Sequence, residues 1–210
     1  MKTLTLIFFA EFALLALAAP LAGGRRTVKG KLAQALVGPA ALGLVLVVLI
    51  RLGVWAIDGA TVTAILEVQA LAAGFALAVS GAAALAARRW PAGGSLVVTV
   101  LALAVLASPF WGDVLLNLPL GREVVAGPVL ETLVLPNPLF TVCDITQYDW
   151  MHSAVLYGRL SRLGEDFMPP SGGWLSLAGG YGGLGLLLAL AEWLFGRRRK
   201  LTGHGAEGLL

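Results

Sequence analysis

The chain has 210 residues, 58% of them hydrophobic and only 13% charged, with a formal net charge of +3. A soluble domain carries about 25% charged residues, so the deficit argues against a water-facing globule and for helices that cross a bilayer. One cysteine, Cys143, rules out an intramolecular disulfide,.

Five apolar windows are each close to the ~20 residues that cross a ~30 Å hydrocarbon layer at 1.5 Å per residue. In chain order they cover about residues 3–23, 35–57, 61–86, 93–111 and 174–195. Lipid offers backbone groups no hydrogen-bond partner, so these segments are expected as helices. Orientation follows from the basic residues. Arg25, Arg26, Lys29, Lys31, Arg88, Arg89, Arg197, Arg198, Arg199 and Lys200 all fall on one side, against Lys2, Arg122, Arg159 and Arg162 on the other. The positive-inside rule then puts the N-terminus and residues 112–173 outside, and a basic tail, 197–210, in the cytoplasm. The part after Lys200 reads as disordered. Residues 1–23 also resemble a signal peptide, with Lys2 ahead of an apolar stretch and Ala16-Leu17-Ala18. Glu11 interrupts that stretch, and cleavage would move every later basic cluster outside, so a retained helix is the expectation,.

Glu11, Arg51, Glu67 and Glu192 are ionisable residues within spans, which makes each a candidate site,. A turn at Asp58-Gly59 would put Arg51 and Glu67 eight residues to either side of Gly59, at one depth, about 10 Å below the outer end,. Glu11 falls at a similar depth in the first span. Glu11, Arg51 and Glu67 are therefore expected as an intramembrane polar node. It is either a structural ion pair with one surplus carboxyl or the lining of an ion, proton or substrate path. Glu192, one turn before the Arg197 cluster, reads as interfacial.

Small residues recur at helical spacing: Ala70, Gly74, Ala78 and Ala82 in the third span, and Gly179 with Gly183 in the fifth. Ser176 with Gly180 and Gly185 with Ala189 repeat the pattern. Such stripes let helix backbones approach closely, either inside one bundle or against a partner helix.

The segment 112–173 has apolar runs broken by Pro119, Pro128, Pro136 and Pro138, each too short to span. Short interfacial or re-entrant helices are expected there, with Trp111, Trp150 and Trp174 as interfacial anchors,. One is a short amphipathic helix over about 149–163. Asp149 and His152, at i and i+3, would share its face. With Cys143 and Asp144 they are the candidates for a metal or catalytic site, and Met151 and Met168 could add thioether ligands for copper,. The plainer reading is that Asp149 caps the helix and His152 lies at a surface.

Pro136-Asn137-Pro138-Leu139, followed by outer helices and a last span with a basic tail, resembles the C-terminal part of ABC-2-type exporter permeases over about residues 112–200. The resemblance implies transport, with a cytoplasmic ATPase as partner. The chain departs from that pattern in having five expected spans rather than six, and no amphipathic cytoplasmic entry helix. No functional residue of the family carries over beyond Asn137 and Pro138, and both read as structural.

The expected protein is thus an all-α integral membrane protein of the bacterial inner membrane, a bundle of about five transmembrane helices. The leading function is a noncatalytic subunit of a larger complex, a transporter or exporter permease. A membrane enzyme with an outward Asp149/His152 site and a structural or assembly protein of the cell envelope are the alternatives. Its expected partners are the lipid bilayer and other membrane subunits or a second copy. No cofactor is expected. Nor is nucleic acid, because the basic clusters flank spans and suit anionic lipid.

Overall fold

The structure, a computed structural model, describes residues 2–23, 28–51, 62–108, 137–148 and 173–203. These form six helices: α1 (Lys2–Gly23), α2 (Val28–Arg51), α3 (Val62–Arg89), α4 (Gly94–Leu106), α5 (Pro138–Thr146) and α6 (Trp174–Gly203). There is no strand among the described residues, so the chain is all-α there.

Two helical stretches, Val62–Arg89 and Trp174–Phe195, are long and apolar enough to cross a membrane. Leu4–Pro20, Val37–Leu49 and Gly94–Leu106 are shorter apolar stretches. The two long ones are used in opposite ways. Within its apolar window α3 is 61% buried, while α6 is 11% buried. The first is therefore a hub enclosed by its neighbours, and the second a flank that leaves Leu175, Leu184, Leu186, Leu187, Leu190, Leu194 and Phe195 exposed.

α3 has the composition for that role. Its 28 residues contain no proline and are rich in alanine and other small residues, so α1, α2, α4, α5 and α6 can all pack against it. It stops before Pro91, which disfavours helical geometry at Trp90,. The chain reverses at once, with Trp90 N–H donating to Ala86 O (2.8 Å) and Gly94 N–H donating to Trp90 O (2.8 Å). At Gly94 a Cβ would run into the Ala86 carbonyl, so the tight entry into α4 requires glycine,.

α1 presents Leu4, Phe8, Phe12, Ala16 and Ala19 to the core, a stripe of three- and four-residue steps,. Glu11 meets Gln69 and Phe12 meets Phe75 across the contact of α1 with α3. α2 packs on α3 as well. A Cβ on its Gly43 would lie 2.7 Å from Gln69 Cγ, which puts residue 43 level with residue 69.

α2 is described over Val28–Arg51, so Lys29 and Lys31 belong to it, and residues 52–57 of the expected span 35–57 lie outside the described residues. The Asp58-Gly59 turn itself lies outside the described residues.

α5 is the part of the outer segment that the structure describes, and it is held inside the bundle. Leu139, Phe140, Val142 and Thr146 are buried, and the helix packs on α1, α3 and α6. α6 continues through the basic run Arg197–Lys200 to Gly203, so that part of the tail is helical. Residues 204–210 and the expected helix over 149–163 lie outside the described residues.

Candidate functional site: a carboxyl–amide pair between α1 and α3

Of the two expected node residues whose side chains are described, Glu11 and Glu67, Glu11 is the one buried in the interior. It is 7% exposed and lies on the α3-facing stripe of α1. Its partner is Gln69 of α3, 6% exposed, whose Nε2 donates to Glu11 Oε2 at 3.0 Å. Gln69 Oε1 is buried and has no hydrogen-bond partner. Phe8, Phe12, Ile65, Ala72 and Phe75 belong to the same apolar core, within about a turn or two of the pair by helical spacing,. The pair is therefore polar chemistry enclosed by hydrocarbon, where each unpaired polar atom is expensive.

Glu67 does not join it. Glu67 precedes Gln69 by two residues, about 200° around the helix, so it projects from the other side of α3,. It is half-buried and makes no ion pair or hydrogen bond among the described residues. The Arg51 side chain lies outside the described residues. Gln69 was not legible as a site residue. An amide within an apolar span is the sequence signal that could have found it, because its neutral polar group needs a partner as surely as a charge does.

A second polar knot holds α5. Asn137, fully buried, donates through Nδ2 to Leu106 O (3.2 Å) and Ser108 Oγ (2.9 Å), and its Oδ1 accepts from Leu139 N–H (2.8 Å). One side chain thus satisfies the last turn of α4 and the first turn of α5 together, with Pro138 supplying a preset helical start,. At the other end Gln147 takes the left-handed conformation (φ 52°). There Tyr148 N–H donates to Cys143 O and Gln147 N–H to Asp144 O, closing the helix,. Thr5 Oγ1 donates to Thr146 Oγ1 (3.1 Å), tying that end of α5 to the start of α1. By helical rise this hydroxyl pair lies about 9 Å from Glu11 along α1,.

Of the remaining candidates, Cys143 is half-buried and Asp144 exposed on α5. Asp149, Met151, His152 and Met168 lie outside the described residues. No group of three or more His, Cys, Asp or Glu that could hold a metal occurs among the described residues.

The small residues sort by geometry. Gly74 and Ala78 are buried against α6, but Ala70 is exposed. A Cβ on Gly74 would lie 2.8 Å from Ala178 O, one on Gly81 3.0 Å from Leu188 Cβ, and one on Gly185 2.7 Å from the Leu77 carbonyl carbon. The α6 face at this seam is Ala178, Gly182, Gly185 and Leu188. Gly179 and Gly183 are exposed, with nothing within 4 Å of a built Cβ, so they point away from it. The same seam ends in an ion pair, Arg88 to Glu192 at 3.6 Å, which gives Glu192 a partner on α3. No protein-family model, curated protein or solved structure matches this chain.

Proposed function

We propose that this is a multi-pass protein of the cell membrane that works as a noncatalytic transmembrane subunit of a transport assembly. The Glu11–Gln69 pair is the polar element of its pathway. The observation that carries the reading is the burial of a carboxyl group against a single amide whose other polar atom is unpaired. A pair kept only for stability would do better as two apolar side chains of the same size. Ionisable residues inside membrane helices mark ion, proton or substrate paths by default.

The membrane reading is supported by the apolar exposure of α6, which suits lipid rather than water,. The basic residues favour an outer N-terminus and a cytoplasmic C-terminus. The Asn137-Pro138-Leu139 likeness to exporter permeases favours a cytoplasmic ATPase as the partner.

The test compares a deletion strain complemented with the wild-type chain and with Glu11→Gln. Fluxes of a panel of labelled solutes are measured in inverted membrane vesicles. We expect at least one flux to depend on the wild-type chain and to fall at least tenfold in Glu11→Gln at equal protein level. A wild-type complement that alters no flux removes the transport reading. A glutamine variant that fails to accumulate makes Glu11 a structural residue.

A further inference from the structure

The hydrogen-bond accounting of the Glu11–Gln69 pair goes one step further, and it rests on the reading of that pair as part of a transport pathway. Gln69 offers two donors on Nε2 and an acceptor on Oε1. In the observed arrangement Nε2 is used and Oε1 is buried without a donor. The group known to lie within hydrogen-bond distance of this amide is the Glu11 carboxyl. As a carboxylate it can only accept, so it cannot satisfy Oε1. As a carboxylic acid it has an O–H to give.

We infer that Glu11 and Gln69 form an exchangeable proton site. The Glu11 carboxyl takes up one proton on Oε1 and donates it to Gln69 Oε1, while Gln69 Nε2 continues to donate to Glu11 Oε2. The two groups then make a ring of two hydrogen bonds with no unpaired atom facing the amide. Closing it needs rotation only about the terminal carboxyl and amide torsions, which are soft. The proton comes from hydronium, which becomes water as the O–H bond forms on Glu11. Release is the reverse, and no electrons move. The ion that the pathway couples to is therefore the proton.

The surroundings suit a single-proton site. On α3 the other acid, Glu67, projects from the far side. α4 contains no charged residue. On α5 the acid is Asp144, which is exposed. On α6 Glu192 is held by Arg88 at the opposite end of α3. The charged residues of α2 are Lys29, Lys31 and Arg51, toward its two ends, with Gly43 level with the pair. Among the described side chains of these helices, no other charged group is placed to take the proton's role.

Infrared difference spectroscopy of the full chain in lipid bilayers, recorded across a pH titration in sodium-free buffer, reads the proton directly. We expect a carboxylic C=O band that rises and falls with pH, shifts in D2O and is missing in Glu11→Gln. In Gln69→Leu the band should remain but move to higher frequency, because the hydrogen bonds to the acid are lost. A wild-type chain with no such titrating band overturns the proton site, as does a band unmoved in Gln69→Leu. A band that responds to added sodium rather than to pH also overturns it, in favour of a bound cation. A titrating band in a chain that supports no flux would instead remove the transport reading and leave the proton site standing.

Discussion

The two faces of α3 carry the same length of helix and do different work. Toward α6 the contact is backbone on backbone. Gly74, Ala78 and Gly81 meet Ala178, Gly182 and Gly185 so closely that side chains would collide. Toward α1 the contact is made by large groups. Phe12 and Phe75 pack edge-on at 5.4 Å, and the Glu11–Gln69 bond lies beside them. Phe75 also packs edge-on against Tyr181 at 5.4 Å, so one aromatic row links α1, α3 and α6. The first face obtains its attraction from dispersion between closely placed backbones. Because it leaves no room for a moving group, it reads as architecture. The second face has side chains with soft torsions and a polar pair, and chemistry fits there.

The largest effect that would sharpen this contrast is at Gly185. Gly185→Leu must push α6 off α3, since even its Cβ would lie within 2.8 Å of Ala78 N. We expect a loss of about 3 kcal/mol, read as a lower denaturant midpoint in detergent micelles. Gly179→Leu, on the open side of α6, should change stability by less than about 0.5 kcal/mol. Equal losses from the two would mean that α3 is not the helix on which α6 depends.

Next is the knot at α5. Asn137→Ala removes a cap and leaves Leu106 O and Leu139 N–H without it, for about 2–3 kcal/mol,. Proteolysis after Tyr148 or thereabouts should accelerate in parallel if α5 loses its seat. An unchanged cleavage rate would show that burial alone holds the helix.

Smaller effects belong to the α1 face. The double variant Glu11→Leu with Gln69→Leu should keep stability within about 1 kcal/mol of wild type, whereas Gln69→Leu alone should cost more, because it strands a buried carboxyl. A double variant much less stable than either single one would assign the pair to holding helices together. The smallest effect is Arg88→Ala. Arg88 is more than a third exposed, so the loss should be about 0.5 kcal/mol and should fade with added salt,. A salt-insensitive loss would point to packing of the arginine stem instead.

The residues show why some of this was legible in advance and some was not. α1, α3 and α6 fall near their predicted spans, because a run of apolar residues bounded by basic clusters or Trp-Pro is a local signal. Gly74 and Ala78 stood out for the same reason. On α6 three overlapping small-residue stripes were present, and spacing alone could not rank them. The face that meets α3, Ala178, Gly182 and Gly185, shares only Gly185 with them, because the rotation of α6 about its axis is set by packing on α3 and not by spacing. The depth expected for Arg51 beside Glu67 rested on the Asp58-Gly59 turn, which lies outside the described residues. α5 lay in a segment expected to be interfacial or re-entrant, and the Asn137 knot draws it inward by joining positions 31 residues apart.

The sequence by itself therefore determined the helical class and the presence of a carboxyl within an apolar helix, while two of the five expected spans, Val62–Arg89 and Trp174–Phe195, are long and apolar enough to cross a membrane among the described residues. Those follow from composition and period, which each residue carries with it. Only the tertiary structure decided that Glu11 answers to Gln69 rather than to Glu67, and that α3 has a closed face and a chemical face. Partnership depends on register and rotation between helices distant in the chain, and a linear pattern of residue types does not contain either.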